Sequence, residues 1–77
     1  MVKVTKFMTL NVTIWCFPQI EYEFIMRKNN PLEISVFRMN GDYINKIRLH
    51  DKDAAAEYMK RLDNGEFILT EVSLDGI

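Results

Sequence analysis

Residues Val2–Cys16 read VKVTKFMTLNVTIWC, and the fold turns on how this stretch is read. Its even positions are Val2, Val4, Lys6, Met8, Leu10, Val12, Ile14 and Cys16. Its odd positions are Lys3, Thr5, Phe7, Thr9, Asn11, Thr13 and Trp15. Apart from Lys6, apolar residues fill every second place, which is the period of a strand with one buried face. The stretch predicts one long strand with its even positions toward the core. Lys3 and Lys6 ahead of the apolar run Phe7–Phe17 give it a superficial likeness to a secretory signal. Thr9, Asn11 and Thr13 interrupt that run at alternate positions, however, and no small-residue cleavage site follows.

Working outward, Phe17-Pro18-Gln19 ends the strand, because proline has no N–H for a ladder. Ile20–Lys28 alternates again, with Ile20, Tyr22, Phe24 and Met26 on one side. Asn29-Asn30-Pro31 signals a turn, and Leu32, Ile34 and Val36 carry a third strand to Met39. Asn40-Gly41 is the strongest local signal, since both residues tolerate the positive φ angles of a type I′ hairpin. A two-residue turn there opposes Leu32 to Leu49, Ile34 to Ile47 and Glu33 to Arg48, so apolar meets apolar and acid meets base. A three-residue first turn opposes Ile14 to Tyr22 and Val12 to Phe24. An even register at the second turn sets Met26 against Leu32 and Phe24 against Ile34.

Asp51 is a good N-cap for a helix through Ala54-Ala55-Ala56, with Ala55, Tyr58, Met59 and Leu62 on one face. Asn64-Gly65 supplies the stop. Glu66–Leu74 reads as a fifth strand, placed beside the first on an up-and-down count, giving sheet order 4-3-2-1-5. The expected fold is α+β: a single domain over residues 1–77, with a five-stranded antiparallel sheet, one helix on one face, and the element order ββββαβ.

At 77 residues the chain has room for one domain and a small core. Hydrophobic residues make up 48% and charged residues 27%, the composition of an ordinary globular domain. Ten Lys and Arg face eleven Asp and Glu, so net charge gives no push toward nucleic acid or a membrane surface. A lone cysteine, Cys16, points to a reducing, cytoplasmic setting. No apolar run approaches the roughly 18 residues of a membrane span.

The raw material for catalysis is thin, and the expectation is a protein that is not an enzyme. His50 beside Asp51 could form an oriented base, but a strand-end histidine before a helix cap accounts for the pair more simply. Cys16 has the parity of a small buried hydrophobe. One histidine and one cysteine do not build a typical zinc site, and three isolated glycines build no phosphate loop, so no metal or cofactor is expected.

The informative feature is the face opposite the predicted core. One helix roughly 18 Å long shields only one side of a sheet roughly 24 Å wide. On the predicted registers the uncovered side gathers Trp15, Phe17, Phe37, Met39 and Ile44 at one end, an apolar patch of the kind that binds other proteins. The favoured expectation is a small protein-binding module that occludes a larger partner; size alone suits a viral or mobile-element inhibitor of host machinery. One alternative is a single-stranded nucleic-acid binder using Arg27, Lys46 and Arg48 beside sheet aromatics. The other is a self-dimer whose patch is its own interface. On this reading Trp15→Ala weakens association and leaves stability nearly unchanged.

Overall fold

In the computed structural model, which describes residues 3–66, the predicted first strand is two strands. These are β1, Thr5–Met8, and β2, Val12–Phe17. The break lies where the period seemed unbroken. Thr9 N–H donates to the Val12 carbonyl (2.9 Å), and Thr9 Oγ1 accepts from the N–H groups of Asn11 (3.2 Å) and Val12 (3.0 Å). A threonine hydroxyl that satisfies the following backbone in this way closes a tight turn. Thr9 and Asn11, read as polar members of an alternating strand, are turn residues.

The turn also reverses parity. β1 pairs with β2 as Lys6↔Trp15, Phe7↔Ile14 and Met8↔Thr13, so even positions of β1 share a face with odd positions of β2. The next strand, β3, Tyr22–Arg27, keeps that reversal through Phe17↔Tyr22, Trp15↔Phe24 and Thr13↔Met26. Pro18–Glu21 therefore forms a four-residue loop, not the three-residue turn expected, and Glu21 takes a left-handed backbone at φ 62°. The predicted face of β2 is thus overturned: Thr13, Trp15 and Phe17 point into the core, and Val12 and Ile14 point away from it. Burying Trp15 and Phe17 instead of Val12 and Ile14 removes roughly 100 Å² more apolar surface from water, about 2–3 kcal/mol. That difference decides the face.

β4, Asn30–Arg38, pairs with β3 through Phe24↔Val36 and Met26↔Ile34, keeping the expected face but sliding the expected register by two residues. β5, Tyr43–Arg48, meets β4 at Glu33↔Arg48 and Ile34↔Ile47, as the sequence predicts, and Leu49 N–H donates to Leu32 O at 2.7 Å. The Asn40-Gly41 turn is longer than a type I′ turn. Arg38 N–H donates to Asp42 O, Gly41 N–H donates to Arg38 O, and only Gly41 has positive φ (101°) there. A bulge between Val36 and Phe37 absorbs the extra residue.

The five strands form one antiparallel sheet in the order β1-β2-β3-β4-β5. α1, Lys52–Asp63, follows β5, so the helix comes last among the described residues and the expected order ββββαβ is not matched. The fold is α+β with five strands and one helix, but the fifth strand comes from the split of Val2–Cys16. The strand predicted for Glu66–Leu74 lies, beyond Glu66, outside the described residues.

The helix forms as its caps dictate. Asp51 Oδ1 accepts from Ala54 N–H at 2.9 Å. At the other end Gly65 (φ 76°) donates to Leu62 O and Glu66 donates to Arg61 O, closing a Schellman motif. Ala55, Tyr58 and Leu62 are buried, and they close a core of Trp15, Phe17, Phe24, Met26, Ile34, Val36 and Ile47. Phe17 and Phe24 meet edge to face, with centroids 5.4 Å apart. Lys6, the one break in the alternation, stands at the sheet edge beside the helix end. Its ammonium lies 3.0 Å from Asp63 Oδ1 and 5.6 Å from the centre of the Trp15 ring.

Candidate functional site

The sheet has one face under α1 and one face on which no described element packs. The uncovered face is built by alternation, and its register puts three rows across the strands. The middle row is Phe7, Ile14, Ile25, Ser35 and Lys46. Toward one end, Thr5, Cys16, Glu23, Phe37 and Tyr43 follow one another. Toward the other lie Val12 beside Arg27, and Glu33 beside Arg48. Phe7 is 52% exposed and Tyr43 57%, while Val12, Ile14, Ile25 and Phe37 are half-buried by their neighbours alone. Phe37 and Tyr43 stack edge to face at 5.7 Å. A shallow groove runs between Val12, Ile25, Glu33, Ser35 and Phe37.

This is a different surface from the one the sequence predicts. Trp15 and Phe17 have no exposed surface at all. Trp15 Nε1–H donates to Asp63 Oδ1 at 2.7 Å, which fixes the indole toward the helix. Ile44 packs against the core, because the Val36/Phe37 bulge turns Tyr43, not Ile44, toward Phe37. Met39 is 44% exposed, in the turn beyond the strands. Of the five expected contact residues only Phe37 lies on the open face. Phe7, Val12, Ile14, Ile25 and Tyr43 take the place of the others, and the missing clue was Thr9, whose turn swaps the two faces of β2.

The expected nucleic-acid contacts do share this face, but two of them are tied to a carboxylate. Lys46 Nζ lies 3.6 Å from Glu33 Oε1, and Arg48 Nε lies 3.6 Å from Glu33 Oε2. Arg27 is exposed. Charge is unevenly spread along the strands. Near the Arg27 end Arg27 and Arg48 stand with the single Glu33, which Lys46 reaches from the middle row, and Lys28 lies in the adjoining turn. Near the other end Glu23 lies on the face, with Glu21 and Asp42 in the flanking turns and Lys3 at the corner. Arg38 is spent on the opposite side, 5.7 Å from the Tyr22 ring.

Cys16 sits in the row with Glu23 and is nearly closed to solvent. Its thiol donates to Glu23 Oε2 at 3.4 Å. Burial first, and then the hydrogen bond and negative charge of Glu23, push the thiol up from 9.0 to about 11. A thiol held neutral is a poor nucleophile. His50 is exposed, and Asp51 Oδ1 caps the helix. Among the described residues no group of three or more His, Cys, Asp and Glu side chains is placed to hold a metal ion. Nor is any described helix long and apolar enough to cross a membrane.

No family model, curated protein or solved structure matches this chain.

Proposed function

We propose that the chain is a small protein-binding module whose contact surface is the open face of the sheet. The observation that carries the reading is the apolar band Phe7, Ile14, Ile25, Phe37 and Tyr43, laid across all five strands while the only described helix covers the other side. Contiguous apolar surface on a small domain marks a place of contact. A flat face of this kind works by occlusion: it covers a partner's surface and excludes water from it. Aromatic and branched residues at the centre with charged residues at both ends match the layout of a protein interface, an apolar core with a polar rim. The ties from Glu33 to Lys46 and Arg48 offset part of the positive charge that a phosphate backbone needs.

Affinity capture with wild type and Ile25→Lys tests this. A protein retained in stoichiometric amount by wild type and lost by a folded Ile25→Lys supports the open face. Equal retention by both moves the contact elsewhere and overturns the assignment.

A further inference from the structure

Resting on the reading of the open face as the contact surface, we infer that the protein this face takes is a second copy of the chain, stacked sheet on sheet with strand direction reversed. The pattern that points there is Glu23-Ile25-Arg27 on β3, the middle strand of the five. All three residues share the open face, and opposite charges stand symmetrically on either side of an apolar centre.

Two sheets that stack with their strands aligned are related by a two-fold axis that runs close to the strands or close to the perpendicular across them. An axis along β3 sets Arg27 over the partner's Arg27 and Glu23 over the partner's Glu23. An axis across the strands, through the Ile25 row, sets Ile25 on Ile25 and each Arg27 against a Glu23, twice per dimer. The same operation lays Arg27 and Lys28, with the Glu33–Arg48 pair beside them, over the end that carries Glu21, Glu23 and Asp42. It also stacks Phe7 and Ile14 on their own copies at the apolar side of the row. At the far edge Lys46 meets its own copy, and each Lys46 is paired with Glu33, which offsets the like charge. Isologous contacts need a surface that complements itself, and of these two axes only the one across the strands opposes Arg27 to Glu23.

The size of the contact sets its strength. A face roughly 24 Å wide and 20 Å long buries on the order of 1,000 Å² when two copies meet. That is near the lower bound for a specific interface, so association in the micromolar range is expected.

The experiment is the solution mass of the full 77-residue chain from low micromolar to near-millimolar concentration, for wild type, Glu23→Arg, Arg27→Glu and the double variant. Circular dichroism and the thermal midpoint serve as folding controls. Wild type is expected to rise from 9.1 kDa toward twice that mass. Each single variant is expected to dimerise at least tenfold more weakly, and the double variant to recover within about threefold of wild type. An equimolar mixture of the two single variants is expected to form a mixed dimer at least tenfold tighter than the dimer of either variant alone, a result that stands even if the double variant folds poorly. A wild type that stays monomeric throughout overturns the inference. If such a monomer still retains a foreign protein that Ile25→Lys loses, the open face remains the contact surface and only its occupant was wrong. Dimers untouched by every charge variant place self-association on another surface and overturn the inference equally.

Discussion

Trp15 fills the centre of the core with its ring and reaches out of it with its indole N–H, which Asp63 accepts at the end of the helix. Removing it leaves a cavity under α1 and frees the C-terminal turn. Trp15→Ala is expected to cost about 3–5 kcal/mol, read from the urea midpoint, while Trp15→Phe keeps most of the packing and costs less. A midpoint unchanged in Trp15→Ala would return the residue to the surface that the sequence alone assigns it. Cys16 gives a second expectation at this scale. Its folded-state thiol titrates near 11 against an ordinary 9.0, so its stabilising contribution is complete below pH 9 and is lost as pH rises toward 11. The thermal midpoint of wild type should fall toward that of Cys16→Ser across this window. Alkylation of the folded protein at pH 8 should be slow. Rapid alkylation there would show that the thiol is neither buried nor held by Glu23.

At the scale of elements, the signals read correctly are those that act over a few residues. Asp51 caps the helix, Gly65 ends it, and the period of Ala55, Tyr58 and Leu62 names its buried side. The pairs Glu33↔Arg48 and Ile34↔Ile47 hold even though the turn that was thought to set them is longer, because the bulge at Val36/Phe37 cancels the added residue. The turns themselves were less legible. Thr9 and Asn11 suit an exposed strand face as well as a turn, and nothing local tells the two apart. Glu21 carries no signal for its left-handed backbone, since glycine or asparagine is the usual occupant. Glu21→Gly is therefore expected to leave stability unchanged or raise it by up to about 1 kcal/mol. Glu21→Val, branched at Cβ, should lower it by about 1–2 kcal/mol. Equal thermal midpoints for the two variants would show that the loop is not held in that conformation.

At the scale of the whole molecule, each strand among the described residues pairs with its neighbour in sequence, and the helix follows directly on the last strand. No long loop has to close among them before contacts form, so refolding is expected as a single exponential on the order of milliseconds, measured by Trp15 fluorescence after dilution from urea. A slow major phase would mean that association or a non-neighbour pairing limits folding. The candidate site also belongs to this scale. Its residues come from all five strands, and their assembly depends on two loops, Thr9–Val12 and Pro18–Glu21, each of which reverses which residues of β2 face inward.

By itself the sequence determined the inward faces of β3 and β4, the helix with both caps, and the lower register of β4 with β5. These follow from hydrogen bonds and side-chain spacing within a hairpin or a helical turn. Only the tertiary structure decided which apolar residues the open face carries. β2 is apolar on both sides, with Val12, Ile14 and Cys16 on one and Trp15 and Phe17 on the other, so its own period is ambiguous. Packing against Phe24, Tyr58 and Leu62 resolves it, because the two aromatics lose more water-exposed surface inside than the smaller residues they displace.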